Sequence, residues 1–329
     1  MNLTNSRLVV THRRRFHADE IFGVAILKLA GFRLTLKRVE RNDPLVAKAD
    51  FALDIGHVYN PDTGRFDHHQ PDGAGKRSTG VPYATAGLLW KAFGLEIAGS
   101  PEVWAIVDDR VITHVDAADF GEKLYSGTAL TLSTLVAQHN GDNVDDDRDQ
   151  QRRFLQAVTL CTTVLRNALR NARSELQRTS VVARAIQSHL DTGKPVPRVL
   201  VLDTLTEWRD RSCKQLLVQH KVDAVIMPMG RGNDHVVHLT NTQMAFSPSW
   251  MKTPAHGFQA ITGTPGHVVI TTQRHARTGS RACAEALATT FVRLHDTVRV
   301  PPTLPDTQVR WQPFAPPTLP PEGGVRALG

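Results

Sequence analysis

Cysteine is scarce and badly placed for cross-linking. Cys161, Cys213 and Cys283 are the only three in 329 residues, far apart, odd in number and without a CxxC pair. A disulfide framework, which wants an even count in a short secreted chain, is excluded, and so is a zinc ribbon. All three read as free thiols, mostly buried. Long apolar runs are missing too: none approaches the roughly 18 residues needed to span a bilayer. The opening "MNLTNSRLVV" has no basic region followed by an apolar one, so no secretory leader is expected. The expectation is a soluble, cytoplasmic protein. No internal repeat is present.

What remains is a globular composition, 41% hydrophobic and 22% charged, able to bury a core. The length suits two ordinary domains or one large one. A formal charge of +7 and a pI near 9.6 favour polyanionic partners through counterion release, although many basic proteins bind no nucleic acid.

Hydrophobic patterning sets out an α/β order. "RLVVT" (7–11) reads as a buried strand, 18–31 as a helix ending on Gly31, and 32–40 and 49–56 as further strands. Segments 82–94 and 101–119 carry helical periodicity, with a Gly/Pro loop at 71–82 before them. From about Arg148 to Thr192 a breaker-poor stretch predicts one long helix or two. Strands are then expected at 197–203, 222–228, 234–240 and 266–272, and a helix from about Gly279 to Leu294. From Pro301 the chain is proline-rich and aperiodic, an irregular tail. These elements divide into a unit over 1–150, a helical connector over 151–192, a second unit over 193–300 and the tail over 301–329.

Chemistry-bearing residues collect at the expected strand ends, where α/β sheets place function. "THRRRFHADE" supplies His12, His17 and Asp19 after the first strand, together with Arg13, Arg14 and Arg15. Asp54 ends the third strand, Asp67, His68 and His69 follow one loop later, and "HVDAAD" adds Asp116 and Asp119. Each has a bland reading. His12 alone suits a cap, and Asp19 and Glu20 suit a first helical turn. Asp54 suits a turn, and Asp116 and Asp119 suit a solvated helix face. His68 and His69, adjacent in a strand, would point opposite ways. Together, hard carboxylates and imidazoles from four segments match a dinuclear hydrolytic centre, suited to Mn²⁺ or Mg²⁺ rather than to a cysteine-rich structural zinc site. The arginine run reads equally as a solvated loop or as a fork for phosphate oxygens.

"TH…FHADE", "D-x-G-x-x-Y-x-P…RFDHHQ", "Y-x-x-AGLLW" and "VDAAD", at 11–20, 54–70, 83–90 and 115–119, resemble the DHH phosphoesterase superfamily, and most nearly the melanocyte proliferating gene exonuclease family. The match covers the first 120 residues. It implies a DHH-type N-terminal domain with a mainly parallel sheet flanked by helices, and a smaller α/β C-terminal substrate domain. It further implies metal ligands at His12, His17, Asp19, Asp54, His68 and Asp116, with Asp119 competing for the last place. Asp54 would bridge two cations, Mn²⁺ ahead of Mg²⁺. His69 would meet the substrate phosphate or leaving group, and Asp67 would orient a histidine.

Relatives carry small or polar residues where Arg13–Arg15 stand. They also carry a glycine pair in the C-terminal half, where this chain has "RHARTGSRACAEAL". Gly279 and Ser280 at a helix start could bind an anion there, with Arg274, Arg277 and Arg281 adding charge. The implied activity is phosphodiester hydrolysis, 3′-to-5′ exonucleolytic on single-stranded RNA or DNA. The alternatives are a phosphoesterase of pyrophosphate, a dinucleotide or a phosphoadenosine, and a non-catalytic basic nucleic-acid-binding protein with a structural metal site. Oligomeric state is left open, a homodimer included.

Overall fold

The computed structural model describes residues 6–124, 130–230, 233–241, 244, 268–272 and 274–297. The proline-rich tail expected from Pro301 lies outside them.

The described residues form two five-stranded sheets. The first is ordered β2-β1-β3-β5-β4, from β1 (Arg7–His12), β2 (Leu34–Val39), β3 (Phe51–Leu53), β4 (Tyr59–Asn60) and β5 (Arg65–Phe66). All neighbours run parallel except β4, which pairs antiparallel with β5. The strand expected over 49–56 is only three residues long, because Asp54 takes a left-handed backbone (φ 53°) that a strand cannot continue. Strands β4 and β5, two residues each, are too short for any alternation to show.

Helix α1 (Ala18–Leu29) is buried on every side from Ala18 to Leu27. It lies among β1, β3, α3 (Thr85–Ala98) and the long helix described below, which is why it reads apolar throughout rather than as a stripe. Gly23 permits this packing: a Cβ there would lie 2.7 Å from Leu89 Cδ1. Each fully buried large side chain in this core, such as Phe22 or Ile26, contributes roughly 1.5–3 kcal/mol.

The segment expected as one helix over 101–119 is helical but changes pitch. α4 (Pro101–Val107) and α5 (Thr113–Asp119) are joined by a π-helical turn at Asp108–Ile112. Arg77 sits inside this bend, donating to both oxygens of Asp108 at 2.9 and 2.8 Å and to Asp116 Oδ2 at 2.7 Å. The Gly87 N–H donates to Asp116 Oδ1 at 2.9 Å. Short helices α2 (Leu45–Lys48) and α6 (Leu132–Ala137) complete this half.

Where one long helix or two were expected, α7 runs unbroken over Asp147–Leu190. Its buried residues Phe154, Ala157, Val158, Cys161, Leu165, Leu169 and Ala172 face the first core, and Val182 and Ile186 face the second. The second sheet is ordered β6-β7-β8-β10-β9: β6 (Val199–Val201), β7 (Ala224–Pro228), β8 (His235–Leu239), β9 (Val268–Thr272) and β10 (His275–Thr278). Only β6 and β7 are parallel. α8 (Arg211–Gln219) covers one face and α9 (Arg281–Thr297) the other. All three cysteines are buried and none forms a disulfide. Among the described residues no helix is long and apolar enough to cross a membrane.

Glu175, nearly fully buried on α7, joins the π-turn to α8: Arg110 donates to it at 2.6 and 3.0 Å and Ser212 Oγ at 2.8 Å. Arg110 and Ser212 outweigh burial and hold this carboxyl near 2, against an ordinary 4.5. A depressed folded-state value adds stability that is complete above the unfolded value and lost as pH falls toward the folded one. The stability gap between wild type and Glu175→Gln, read from denaturant melts, should therefore be flat above about pH 5 and close toward pH 2. At Gly87 a Cβ would stand 1.9 Å from Asp116 Oδ2. Gly87→Ala should cost about 2–4 kcal/mol in the same melts, by overpacking and by breaking the Arg77–Asp116 pair.

Candidate metal centre

Three adjacent parallel strands end on site residues. His12 is the last residue of β1, Asp54 follows β3 directly, and Asp67 follows β5 directly. The N-terminus of α1 brings His17, Asp19 and Glu20 against them, and the C-terminus of α5 brings Asp119. Three overlapping groups of ligand atoms result: His12, His17, Glu20 and Asp54; Asp54, Asp67, His68 and His69; and His17, Asp19 and Asp119. Asp54 belongs to two of them, and so does His17.

The distances are those of a shared centre. His12 Nε2 lies 3.1 Å from Asp54 Oδ2 and 3.3 Å from Glu20 Oε1. His68 Nε2 lies 3.0 Å from Asp119 Oδ2, while its Nδ1 is 3.9 Å from Asp19 Oδ2 and 3.7 Å from Asp54 Oδ1. His69 Nδ1 is 3.2 Å from Asp54 Oδ1. Residues 67–69 are not a strand, so His68 and His69 do not point apart; their rings stack with centroids 4.3 Å apart.

The strongest sign of a missing partner is what these buried atoms fail to bond. His12 Nε2, both Asp19 oxygens, Asp54 Oδ1 and His68 Nδ1 are buried without an aligned hydrogen bond among the described residues. Burial, with Asp54, Asp119 and Glu20 nearby, pushes the Asp19 carboxyl well above its usual range. Burial opposes ionisation of Asp54, but His12 and His69 outweigh it and hold that carboxyl well below the usual range. Burial also disfavours the His12 imidazolium, yet Asp54 and Glu20 raise it to about 10. Asp54 and Asp67 raise His69 to about 10 as well. Carboxylates crowded this way require protons, imidazolium or a cation to coexist. The hard oxygen and imidazole donors, with no sulfur among them, fit Mn²⁺ or Mg²⁺.

Asp67 plays another part. Its Oδ1 accepts from the His69 N–H at 3.1 Å and lies 2.7 Å from His69 Nδ1, while its Oδ2 accepts from the His57 N–H at 2.6 Å. It thus holds the loop after β3 and, through Nδ1, the His69 ring, which is 38% exposed.

Several expected residues lie elsewhere. Asp116 is fully buried but turned to Arg77 and the Gly87 N–H, away from the ligand groups; Asp119, one helical turn on, meets His68 instead. Burial lifts the Asp116 carboxyl to about 7 despite Arg77. Arg13 is taken up by Asp147 and by Glu40 at 3.0 Å. Arg14 and Arg15 are exposed and line, with His12, His17 and Arg41, an open depression of about 530 Å³. In the second half the expected anion site is not one cluster. Arg274 precedes β10 and donates to the Leu239 and Thr240 carbonyls at 2.9 and 3.1 Å, whereas Gly279, Ser280 and Arg281 follow it. Ser280 Oγ accepts from the Cys283 N–H, Arg281 pairs with Glu285 at 2.7 Å, and Arg277 is exposed on the strand.

Sequence reasoning passed over Glu20 and Arg77. As a first-turn acid Glu20 accepts from the His17 N–H at 2.9 and 3.0 Å. Its complete burial beside His12 follows from tertiary packing and has no local signal. Arg77 lies in the Gly/Pro loop, 39 residues from Asp116, and nothing in the sequence marks that pairing.

The chain is similar to several known proteins, to different degrees. This chain is 31% identical over 185 residues to the MYG1 exonuclease of Mus musculus, 48% of either chain, and 26% identical over 227 residues to the MYG1 protein of Dictyostelium discoideum, 61% of this chain and 68% of that one. The chain spans about half the length of the curated mammalian relatives it matches. Among solved structures, the pGpG-specific phosphodiesterase PggH of Vibrio cholerae aligns over 89% of this chain and 99% of its own, at 12% identity and a TM-score of 0.28. Exonuclease RecJ bound to manganese aligns over 88% and 90%, at 14% identity and a TM-score of 0.24. The MYG1 exonuclease family model, described as an uncharacterised protein family (UPF0160), matches residues 8–248, and on that match this chain belongs to the family.

Proposed function

We propose that this chain is a metal-dependent phosphodiesterase, and specifically a 3′-to-5′ exonuclease on single-stranded RNA or DNA. The carrying observation is the set of buried, unbonded carboxylate and imidazole atoms at three neighbouring strand ends. The names of the relatives, MYG1 exonuclease among them, agree with it. Two divalent cations, Mn²⁺ ahead of Mg²⁺, would be held by His12, His17, Asp19, Asp54, His68 and Asp119, with Glu20 beside them and Asp54 shared. Bound there, such a pair supplies an activated water and neutralises charge on a phosphoryl oxygen.

The protein's own groups do the rest. Asp67 fixes His69 so that its Nε2 can donate to a phosphate oxygen or to the leaving oxygen. Arg14 and Arg15, exposed on the rim, offer guanidinium forks to the following phosphates. Arg77 anchors Asp116, and through it the turn of α5 that presents Asp119. The division of the chain at about residues 150 and 193, into a metal-binding part and a substrate-binding part, belongs to the same proposal, as does a cytoplasmic setting.

Asp19→Asn separates charge relief from metal binding. The metal-free variant should melt no lower than wild type, because a neutral isostere replaces a carboxyl whose charge burial and the neighbouring carboxylates oppose. The rise in melting temperature on adding Mn²⁺ should vanish. A variant that still gains stability from Mn²⁺ would remove Asp19 from the ligand set. End-labelled single-stranded RNA and DNA, with and without Mn²⁺, test the activity: a ladder shortening from the 3′ end is expected. Asp54→Asn should lose at least about a thousandfold in rate, as when a group aimed at the transition state is removed. Cleavage confined to dinucleotides or pyrophosphate, with no gain from longer oligomers, would replace the exonuclease reading with a small-molecule phosphoesterase.

A further inference from the structure

The second sheet carries a pocket that shares no residue with the acid–imidazole groups. It has a volume of about 610 Å³ and opens beside α8 and the start of β10. Small organic ligands typically occupy sites of about 300–1,000 Å³. Leu217 and Val218 of α8 and the Trp208 indole give it an apolar side, and Arg209, Lys214 and Arg274 give it three cations. No carboxylate is among its described lining residues, and Glu207 pairs with Arg209 at 3.3 Å beside it.

Two buried donors in this lining have no acceptor among the described residues. Trp208 is 5% exposed, and its indole N–H has no acceptor among the described residues; the Arg274 Nε–H has none either. A buried donor left unmet costs about 1–3 kcal/mol. Both groups therefore ask for an acceptor-bearing occupant. Beside them His238, 9% exposed, meets the His275 ring edge-on at 4.2 Å, and Arg209 Nη2 lies 2.5 Å from His275 Nε2. Burial and the neighbouring cations push both imidazoles down, His238 to about 3, so the pocket's positive charge resides on Arg209, Lys214 and Arg274. Three cationic side chains, aliphatic surface from α8 and an indole around one cavity suit a ligand with a phosphate and a flat ring bearing acceptor atoms.

We propose that this pocket binds a nucleoside monophosphate, with the phosphate on Arg209, Lys214 and Arg274 and the base along Leu217 and Val218, accepting from the Trp208 indole. The site stands independently of the metal centre. Where the proposed hydrolysis also runs, its ligand is the product of that reaction.

Calorimetric titration of the full chain in EDTA with AMP, GMP, CMP and UMP in turn, and with orthophosphate and adenosine as halves of the ligand, decides it. At least one nucleotide should bind at a single site with a Kd between about 10 µM and 1 mM. Lys214→Glu, at an exposed position, should weaken it about tenfold or more, and Trp208→Phe, which keeps a ring but loses the N–H, about fivefold. Melting curves check that both variants fold, and Asp54→Asn should bind as wild type does. The proposal is overturned by no heat from any nucleotide at about 5 mM. It falls equally if both pocket variants bind unchanged, if orthophosphate binds as tightly as the nucleotide, or if Asp54→Asn abolishes binding.

Discussion

Like charge packed out of water is the constraint around which the N-terminal half is arranged. Asp19 and Glu20 are fully buried and Asp54 almost so, with Asp119 beside them; the groups in contact with them are imidazoles, and the Arg38 guanidinium lies near Glu20. Neighbouring carboxylates in a low dielectric repel strongly enough that one of them gives up its charge, and burial and its neighbours drive Asp19 in that direction. A core built only for stability would not hold this set, because an apolar replacement of similar volume is as stable or more so. The set makes sense where positive charge from outside completes it. The fold then becomes legible as scaffolding: three parallel strands end at one level, and two helix termini close over them.

The backbone bears strain at the same place. Asp54 and His57, neither a glycine, both adopt left-handed conformations within four residues. Such conformations cost of order 1–3 kcal/mol each and persist only where surroundings over-determine them. Here Asp67 does so, since one of its oxygens accepts from the His57 N–H while the other holds His69. The same carboxylate therefore stabilises a strained loop and orients an imidazole. Its ladder position, directly after β5, lets one side chain reach both.

How much of this could be read from the chain depended on whether the information was local. Strands ending at His12 and near Asp54, the helix from Ala18 and the long helix through Leu165 announce themselves by periodicity and by polar residues at element ends. So do the ligand types, since His, Asp and Glu in clusters after strands are visible to the eye. Orientation was not legible. Asp116 and Asp119 sit one turn apart on one helix, and only the position of Arg77, 39 residues upstream, decides that Asp116 faces inward to an ion pair and Asp119 faces His68. Glu20 and Asp19 are adjacent acids, and both are drawn in because α1 is surrounded on all sides. The second sheet hid β10 for another reason: "HART" is four residues, half of them charged or titratable, and its pairing with β8 rather than its composition makes it a strand.

The excess of positive charge divides in a way composition cannot show. Of the three consecutive arginines, Arg13 is held by Asp147 and Glu40, so it joins the loop after β1 to the start of α7 and is not free for a ligand. Arg14 and Arg15 stay on the surface beside His12 and His17. The buried acids need cations small enough to enter, and a polyanion needs cations on an open rim. Under the proposed function metal ions would serve the first need and arginines the second, because a guanidinium inserted among Asp19, Asp54 and His68 would take the place of the cations that a phosphate would meet. Seen this way, "HRRRFH" is one arrangement with two jobs: its outer imidazoles turn toward the acids, and two of the arginines between them stay with the solvent.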